Sequence, residues 1–146
     1  MKAPETEALE IVQAHPSRRL SNALLRRLVQ AVLAGEKARL RYLSLVLADH
    51  ATVRELNRTY LGHDYDTDVL SFPLSEEPGV VEGEIYVDLD TAAERYAEFG
   101  ATFTQEACRY VVHGLLHLLG YDDATPEARA HMHRLEDRYL QAAGLL

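Results

Sequence analysis

The sequence is poor in cysteine and in long apolar runs, and each shortage excludes a class of protein. One cysteine, Cys108, among 146 residues excludes an internal disulfide and fits a reducing compartment, so we expect a cytoplasmic protein. No apolar run approaches the roughly 20 residues that span a membrane. The opening residues, MKAPETEALE, lack the apolar core of a secretory signal, so we expect neither export nor a membrane partner.

Positive charge is also scarce. The chain has 15 Lys and Arg against 23 Asp and Glu, a net charge of −8. This balance disfavours binding of nucleic acid through bulk electrostatics, and we expect no DNA partner. Basic residues are concentrated between Arg18 and Arg41, where a solvated helix face and strand edges are the simpler interpretation.

Periodicity and capping signals predict one α+β domain over residues 1–146, with a mixed four-stranded sheet and helices packed on it. We expect the last two strands to be antiparallel. The predicted strands are 9–15, 38–49, 69–74 and 83–90. The predicted helices run from the cap Ser21 to Leu33 before Gly35, from the cap Asp49 to Gly62, from Asp90 or Thr91 to near Gly100, from Thr102 or Thr104 to Leu119, and from Thr125 to about Ala143.

The run HGLLHLLGYDD, residues 113–123, carries the clearest chemistry in the sequence. His113 and His117 are four apart in a helical stretch, so both imidazoles lie on one face and can reach one ion. Gly120 can adopt the left-handed conformation that ends a helix, which returns the chain toward the histidines. Asp123 can then supply a carboxylate. Two nitrogens and one oxygen suit Zn²⁺ and leave a position open for water, as in catalytic zinc sites.

The spacing is close to the H-E-x-x-H-x-x-G-x-x-H motif of zinc proteases, and we expect a zincin-like metal helix. Those enzymes place a Glu after the first His as general base, whereas this chain has Gly114. The pattern therefore favours a metal hydrolase and argues against an ordinary protease. The competing interpretation is a pair of core histidines bonded to backbone.

The third ligand has alternatives. Asp122 is adjacent to Asp123, and His131 and His133 follow on the last helix. We favour Asp123 because it lies ten residues after His113, as the third ligand does in the motif above. Exposed positions on an amphipathic helix account for His131 and His133, and a packed thiol accounts for Cys108. His15 and His50 receive no role.

Three segments resemble the YbeY family, the bacterial single-strand-specific endoribonucleases of rRNA maturation. HGLLHLLGYDD resembles its signature, which usually reads HGxLHLxGYDH. LNRTYLGHDYDTDVLSFPL, residues 56–74, is similar to the family's Asn-containing helix and TDVLSF strand, and GEIYVDLDTA, residues 83–92, is similar to its G-[DE]-I-x-[IV]-S strand. The likeness covers most of residues 56–123. It implies one Zn²⁺, single-stranded RNA or rRNA as substrate, and the ribosome or its proteins as partners.

Two positions depart from the family pattern. The third ligand is commonly His, where this chain has Asp123, and an Arg commonly precedes the loop glycine, where this chain has Leu61. Asp is a competent zinc ligand, but its charge weakens the Lewis acidity of the ion. His63 or Arg58 is a candidate to supply the missing positive charge.

The predicted function is a zinc-dependent endoribonuclease of rRNA maturation and ribosome quality control, with the ion on His113, His117 and Asp123. The ion would activate water toward a phosphodiester. The candidate catalytic residues are Arg109, Asp68, Ser71 and His63. Arg109 is expected to contact phosphate or support a ligand, with a surface pair to Glu106 as the alternative, and Asp68 and Ser71 are expected to line the cleft.

Two other functions compete with this prediction. One is a zincin-like metallopeptidase, which Gly114 disfavours. The other is a non-catalytic, ribosome-associated RNA-binding factor with a structural metal, which the loss of the arginine at position 61 favours.

Overall fold

The computed structural model describes residues 8–62 and 67–146. Within them a mixed four-stranded sheet carries five α-helices, which confirms the predicted α+β fold. The strands are β1 (Leu9–Gln13), β2 (Arg39–Ala48), β3 (Val69–Pro73) and β4 (Val80–Asp88). The helices are α1 (Asn22–Glu36), α2 (His50–Leu61), α3 (Leu89–Arg95), α4 (Phe103–Leu118) and α5 (Pro126–Ala142), and a 3-10 turn (Tyr96–Phe99) follows α3.

The strand order across the sheet is β1-β2-β4-β3. β1 pairs parallel with β2, and β2 pairs parallel with β4, with Leu45 opposite Ile85. β3 pairs antiparallel with β4, with Ser71 opposite Ile85, which confirms the predicted hairpin. β4 is therefore an inner strand, paired on both sides, and the helix that contains residues 103–118 packs against it.

Helix α4 lies at the centre of the main hydrophobic core. It contacts β3, β4, α1 and α5, and ten of its sixteen residues are buried. The buried set includes Val111, Val112, Leu115 and Leu116, which point in different directions around the helix. A helix enclosed in this way is held in a fixed orientation, so its few polar side chains project at fixed positions.

Most predicted caps are confirmed. The side chains of Ser21, Asp49, Thr102 and Thr125 each accept a hydrogen bond from a backbone N–H of the following helix. Gly62 and Gly100 end their segments in the left-handed conformation, with φ of 71° and 65°.

Three boundary predictions are wrong. β4 begins at Val80 rather than at residue 83 and ends at Asp88 rather than at residue 90. α1 continues past Leu33 and Gly35 to Glu36, and Lys37 takes the left-handed conformation with φ 54°. Gly35 lies inside the helix. The position has no room for a side chain, because a Cβ there would come within 2.3 Å of the Tyr139 ring. The cap of α3 is Asp88, which is fully buried and accepts a hydrogen bond from the Thr91 N–H at 2.9 Å.

Asp90 has a different role from the one predicted. Its carboxylate accepts hydrogen bonds from His15 Nε2 at 2.8 Å and from the His50 backbone N–H at 2.9 Å, and it pairs with Arg18. His50 in turn contacts Asp88 through Nδ1 at 2.7 Å. These contacts connect the segments that follow β1, β2 and β4, so the two histidines without a predicted role belong to a structural polar cluster.

Candidate metal centre

Helix α4 places His113 and His117 on one partly exposed stripe. Its start is fixed by a capping box, in which Thr102 and Gln105 exchange side-chain and backbone hydrogen bonds of 2.9 and 3.1 Å. The two imidazole rings lie one turn apart with centroids 4.5 Å from each other. Their Nε2 atoms face each other at 2.9 Å. The i, i+4 spacing therefore produces the predicted convergence of two nitrogens.

A tight reversal after α4 returns Asp123 to the histidines. Gly120 adopts φ 101°, its N–H donates to the His117 carbonyl at 3.0 Å, and the Tyr121 N–H donates to the Leu116 carbonyl at 3.0 Å. This pair of bonds is a Schellman motif, which favours a glycine at that position. The Asp123 Oδ2 atom comes to rest 3.3 Å from His113 Nε2 and 3.8 Å from His117 Nε2.

Hydrogen bonds at the far side of each ring fix the tautomers. His113 Nδ1 lies 2.7 Å from a Glu136 carboxylate oxygen, and His117 Nδ1 lies 3.0 Å from the Tyr121 carbonyl. Both partners only accept hydrogen bonds, so each Nδ1 carries the proton. Each Nε2 then presents a lone pair toward Asp123.

This donor set fits a metal ion. Two neutral imidazole nitrogens and a carboxylate oxygen are all acceptors, and their close approach is repulsive unless a proton or a metal cation lies among them. Tetrahedral zinc ligands at about 2.0–2.1 Å lie roughly 3.3 Å from each other. The three separations of 2.9, 3.3 and 3.8 Å bracket that value. Three protein ligands would leave a further coordination position for water.

The two histidines have pKa values shifted in opposite directions. Burial lowers the pKa of His113, but the hydrogen bond and the negative charge of Glu136 outweigh burial, so the net shift is upward. Burial and the charge of His113 lower the pKa of His117. Glu136 therefore makes His113 the more basic nitrogen ligand of the pair.

Sequence reasoning missed Glu136, although it is central to the site. The residue lies on α5 and is 4% exposed. Its Oε1 atom accepts from Arg109 at 3.2 Å and lies 3.1 Å from His133 Nδ1, while Oε2 binds His113 Nδ1. A signal was present in the sequence, because Glu136 falls four residues from both Met132 and Leu140 on the buried stripe of its helix.

Arg109 supports this arrangement from α4. Its guanidinium donates to Glu136 at 3.2 Å and to Asp137 at 2.7 Å. The alternative pairing with Glu106 is therefore replaced by two carboxylates of α5. Burial lowers the pKa of Arg109, but these two carboxylates raise it by more. The predicted contact of Arg109 with phosphate stays a prediction, as does its catalytic role.

Gly114 and Ser71 form the contact between α4 and the sheet. A Cβ at Gly114 would lie 2.9 Å from the Ile85 side chain and 3.1 Å from the Ser71 hydroxyl oxygen. Ser71 donates that hydroxyl to the Gly114 carbonyl at 3.0 Å. The helix therefore has no room for a glutamate after the first histidine. The Ser71 hydroxyl donates its hydrogen to the Gly114 carbonyl in this contact, and the catalytic role of Ser71 stays a prediction.

A cleft of about 350 Å³ opens beside the histidines and includes His113, Asp123 and Glu136 in its wall. Asp68 is half-buried in the same wall, which does not include Ser71, and the catalytic role of Asp68 stays a prediction. Burial raises the pKa of its carboxyl group, and the neighbouring His113 and Arg95 partly oppose that shift. His63, the other candidate, lies outside the described residues. Arg58 pairs with Glu55 on the surface of α2.

The family described as Endoribonuclease YbeY matches residues 9–144 of the chain. The chain belongs to the YbeY family. A protein named Endoribonuclease YbeY from Salinibacter ruber is 56% identical over 144 residues, which cover 93% of this chain and 92% of the relative. A second relative of that name, from Chlorobium phaeovibrioides, is 44% identical over 135 residues, which cover 91% and 90%.

The fold of the YbeY family is also found among solved structures. A solution structure of a Thermotoga maritima protein aligns with a TM-score of 0.65 at 31% identity and covers 92% of this chain and 88% of that one. Among the described residues, no helix combines the length and apolar character that a membrane crossing requires. The similarity extends over nearly all of the chain and includes every element that forms the cleft.

Proposed function

We propose that the chain is a zinc-dependent endoribonuclease that cleaves single-stranded RNA during rRNA maturation and ribosome quality control. Residues 1–146 would act as one catalytic domain. Relatives that cover nine tenths of the chain carry the name endoribonuclease, which supports the reaction class. The three converging acceptors His113, His117 and Asp123 support the metal, and this convergence is the observation on which the proposal depends.

His113, His117 and Asp123 would hold the ion. When bound, Zn²⁺ lowers the pKa of a water toward about 7 and neutralises charge that develops on phosphoryl oxygens. Glu136 and the Tyr121 carbonyl keep the proton of each imidazole on Nδ1 and leave both Nε2 atoms free. Arg109 holds the carboxylate of Glu136 in position.

The cleft wall supplies the remaining polar groups. Asp68 lies in the cleft wall, and burial raises the pKa of its carboxyl group above the ordinary range. Both properties suit a group that exchanges a proton with the substrate. A glutamate directly after His113 is excluded by the packing of Gly114 on Ile85 and Ser71. This steric limit argues against the peptidase alternative, in which that glutamate acts as the base.

The test is a His117→Ala variant purified without added metal. We expect it to lose stoichiometric zinc in elemental analysis and to lose cleavage of a single-stranded RNA. His131→Ala is the matched control, because His131 is exposed on α5 and packs against Tyr121 rather than binding in the triad. Zinc retained at one ion per chain in the His117→Ala protein would show that the ligand set is wrong.

The second candidate function is a non-catalytic RNA-binding factor whose metal is structural. Leu61, which stands where the family commonly has an arginine, favours it, because Leu61 is exposed and uncharged. This alternative predicts that a chelator lowers the melting temperature while no RNA cleavage exists to be lost. Association with the ribosome, a cytoplasmic location and the absence of a DNA partner stay predictions.

A further inference from the structure

The cleft is longer than a metal ion and one phosphate require. Its wall follows α4 from His113 back to Glu106, a separation of seven residues and about 10 Å along the helix axis. Beyond Glu106 the wall continues onto Arg95 of α3 and Phe99 of the 3-10 turn. The ligands His113 and Asp123 line one part of the cleft, so the part near α3 is available to another portion of the substrate.

Phe99 presents an aromatic ring at this part of the cleft. It is 64% exposed, although most large apolar side chains of the protein are buried. The turn that carries it is tied down, because the Gly100 N–H donates to the Ala97 carbonyl at 3.3 Å and the Ala101 N–H donates to the Tyr96 carbonyl at 3.1 Å. Helix α4 begins directly afterwards, so the position of the ring is coupled to the metal helix.

Arg95 provides a positive charge in the same part of the cleft. In the ranges 8–62 and 67–146 no carboxylate forms an ion pair with it, whereas Arg109 on the same cleft wall is neutralised by Glu136 and Asp137. Arg95 is also exposed, and its charge acts on Asp68 across the cleft. On a chain of net charge −8, an unpaired guanidinium beside the site is a specific place for a phosphate.

We propose that Arg95 and Phe99 form a nucleotide subsite for the RNA strand on one side of the cleaved bond. The Arg95 guanidinium binds a backbone phosphate, and the Phe99 ring stacks on a base. This inference rests on the proposed function. A base can stack on a protein ring only when it is released from its own duplex, so the subsite also selects single-stranded over double-stranded RNA.

The test measures binding of a fluorescent, nuclease-resistant phosphorothioate RNA to the zinc-loaded full chain by anisotropy. Replacement of a stacking aromatic by alanine corresponds to about a 5- to 150-fold loss of affinity. We expect that loss in Phe99→Ala and in Phe99→Leu, and recovery in Phe99→Tyr, because the tyrosine ring still stacks. We also expect Phe99→Ala to lose most of the preference for single strands over duplex.

Arg95→Ala is tested by the salt dependence of binding. Loss of one phosphate contact to a single strand reduces the slope of log affinity against log salt by about 0.7. Arg19→Ala, an exposed arginine outside the cleft wall, is the matched control and should leave the slope unchanged. Thermal melting of each variant should match the wild type, because both side chains are exposed.

The outcomes separate this proposal from the function. If the wild type binds and cleaves single-stranded RNA while Phe99→Ala binds equally well, or Arg95→Ala keeps the full slope, the subsite is refuted and the function stands. If the wild type neither binds nor cleaves any single-stranded RNA, the proposed function fails and the subsite fails with it.

Discussion

Replacement of Glu136 by glutamine tests how the metal ligands are held. Both hydrogen-bond partners of Glu136 are donors: His113 Nδ1 lies at 2.7 Å from one carboxylate oxygen and Arg109 at 3.2 Å from the other. A glutamine has one acceptor oxygen and one donor NH₂ group. In either orientation the amide NH₂ must face a donor, so the Glu136→Gln side chain satisfies only one side of the contact. It also removes the negative charge that raises the pKa of His113.

Loss of such a supporting contact lowers metal affinity by about 10- to 100-fold, which corresponds to about 1.4–2.8 kcal/mol. We expect an effect in this range for zinc, measured by competition with a chromophoric chelator at fixed pH. Asp137→Asn is the matched control. It removes the other carboxylate that binds Arg109, but Asp137 is half exposed and contacts Arg109 rather than His113. Such a pair is worth at most about 1 kcal/mol, so we expect less than about a fivefold change.

A specific result would refute this reasoning. If Glu136→Gln binds zinc as tightly as the wild type while His113→Ala loses the ion, the Nδ1 contact does not set ligand strength. Glu136 would then be only a structural residue that joins α5 to α4. Such a role predicts a lower melting temperature of the metal-free variant with unchanged zinc affinity. Measuring both quantities on the same preparations separates the two explanations.

Three further predictions concern stability and reactivity. Gly114→Ala should destabilise the fold by about 1–3 kcal/mol in urea unfolding, since its Cβ would lie 2.9 Å from Ile85; unchanged stability would show that the helix can shift. Burial raises the pKa of Cys108 to about 12, so iodoacetamide at pH 8 should label it only after denaturation, and rapid labelling of the native protein would contradict its buried position. Hydrogen bonds to Thr52 lower the pKa of Asp49, so its contribution is complete above its unfolded pKa and is lost as pH falls through the folded value. The wild type should therefore lose melting temperature relative to Asp49→Asn between pH 6 and pH 3, and a constant difference would refute this.

The fold was predictable where local chemistry determines it. Ser21, Asp49, Thr102 and Thr125 each start a helix because a side-chain oxygen close in sequence satisfies an otherwise free N–H. The end of α1 was not predictable in this way. Gly35 is a helix-ending signal by local rules, but the helix continues through it. The glycine is present there because the Tyr139 ring, from a distant segment, fills the space that a side chain would need.

The site shows the same division. His113, His117 and Asp123 were predictable because a helical turn and one glycine reversal bring them together within eleven residues. Glu136 binds His113 from 23 residues away on another helix, and its position depends on how α5 packs on α4. Arg109 was assigned to the correct stripe, but its partners Glu136 and Asp137 come from that same long-range packing. The spacing of residues along one segment identifies metal ligands on that segment. It does not identify residues of a second segment, such as Glu136, that hydrogen-bond to those ligands.

The packing of α4 also determines where a proton donor can lie. Gly114 touches the sheet so closely that no side chain fits after His113, and therefore the acid or base cannot come from the position that zinc proteases use. The carboxylates must approach from other elements. Glu136 is committed to His113 and Arg109, and Asp123 faces the histidines as a ligand. Asp68 is the cleft carboxyl group whose pKa burial raises, so it holds a proton at a higher pH than an ordinary aspartate. A carboxyl group of this kind can protonate a departing ribose oxygen, and we predict that Asp68 does so; Asp68→Asn should then lower RNA cleavage while the zinc content stays unchanged.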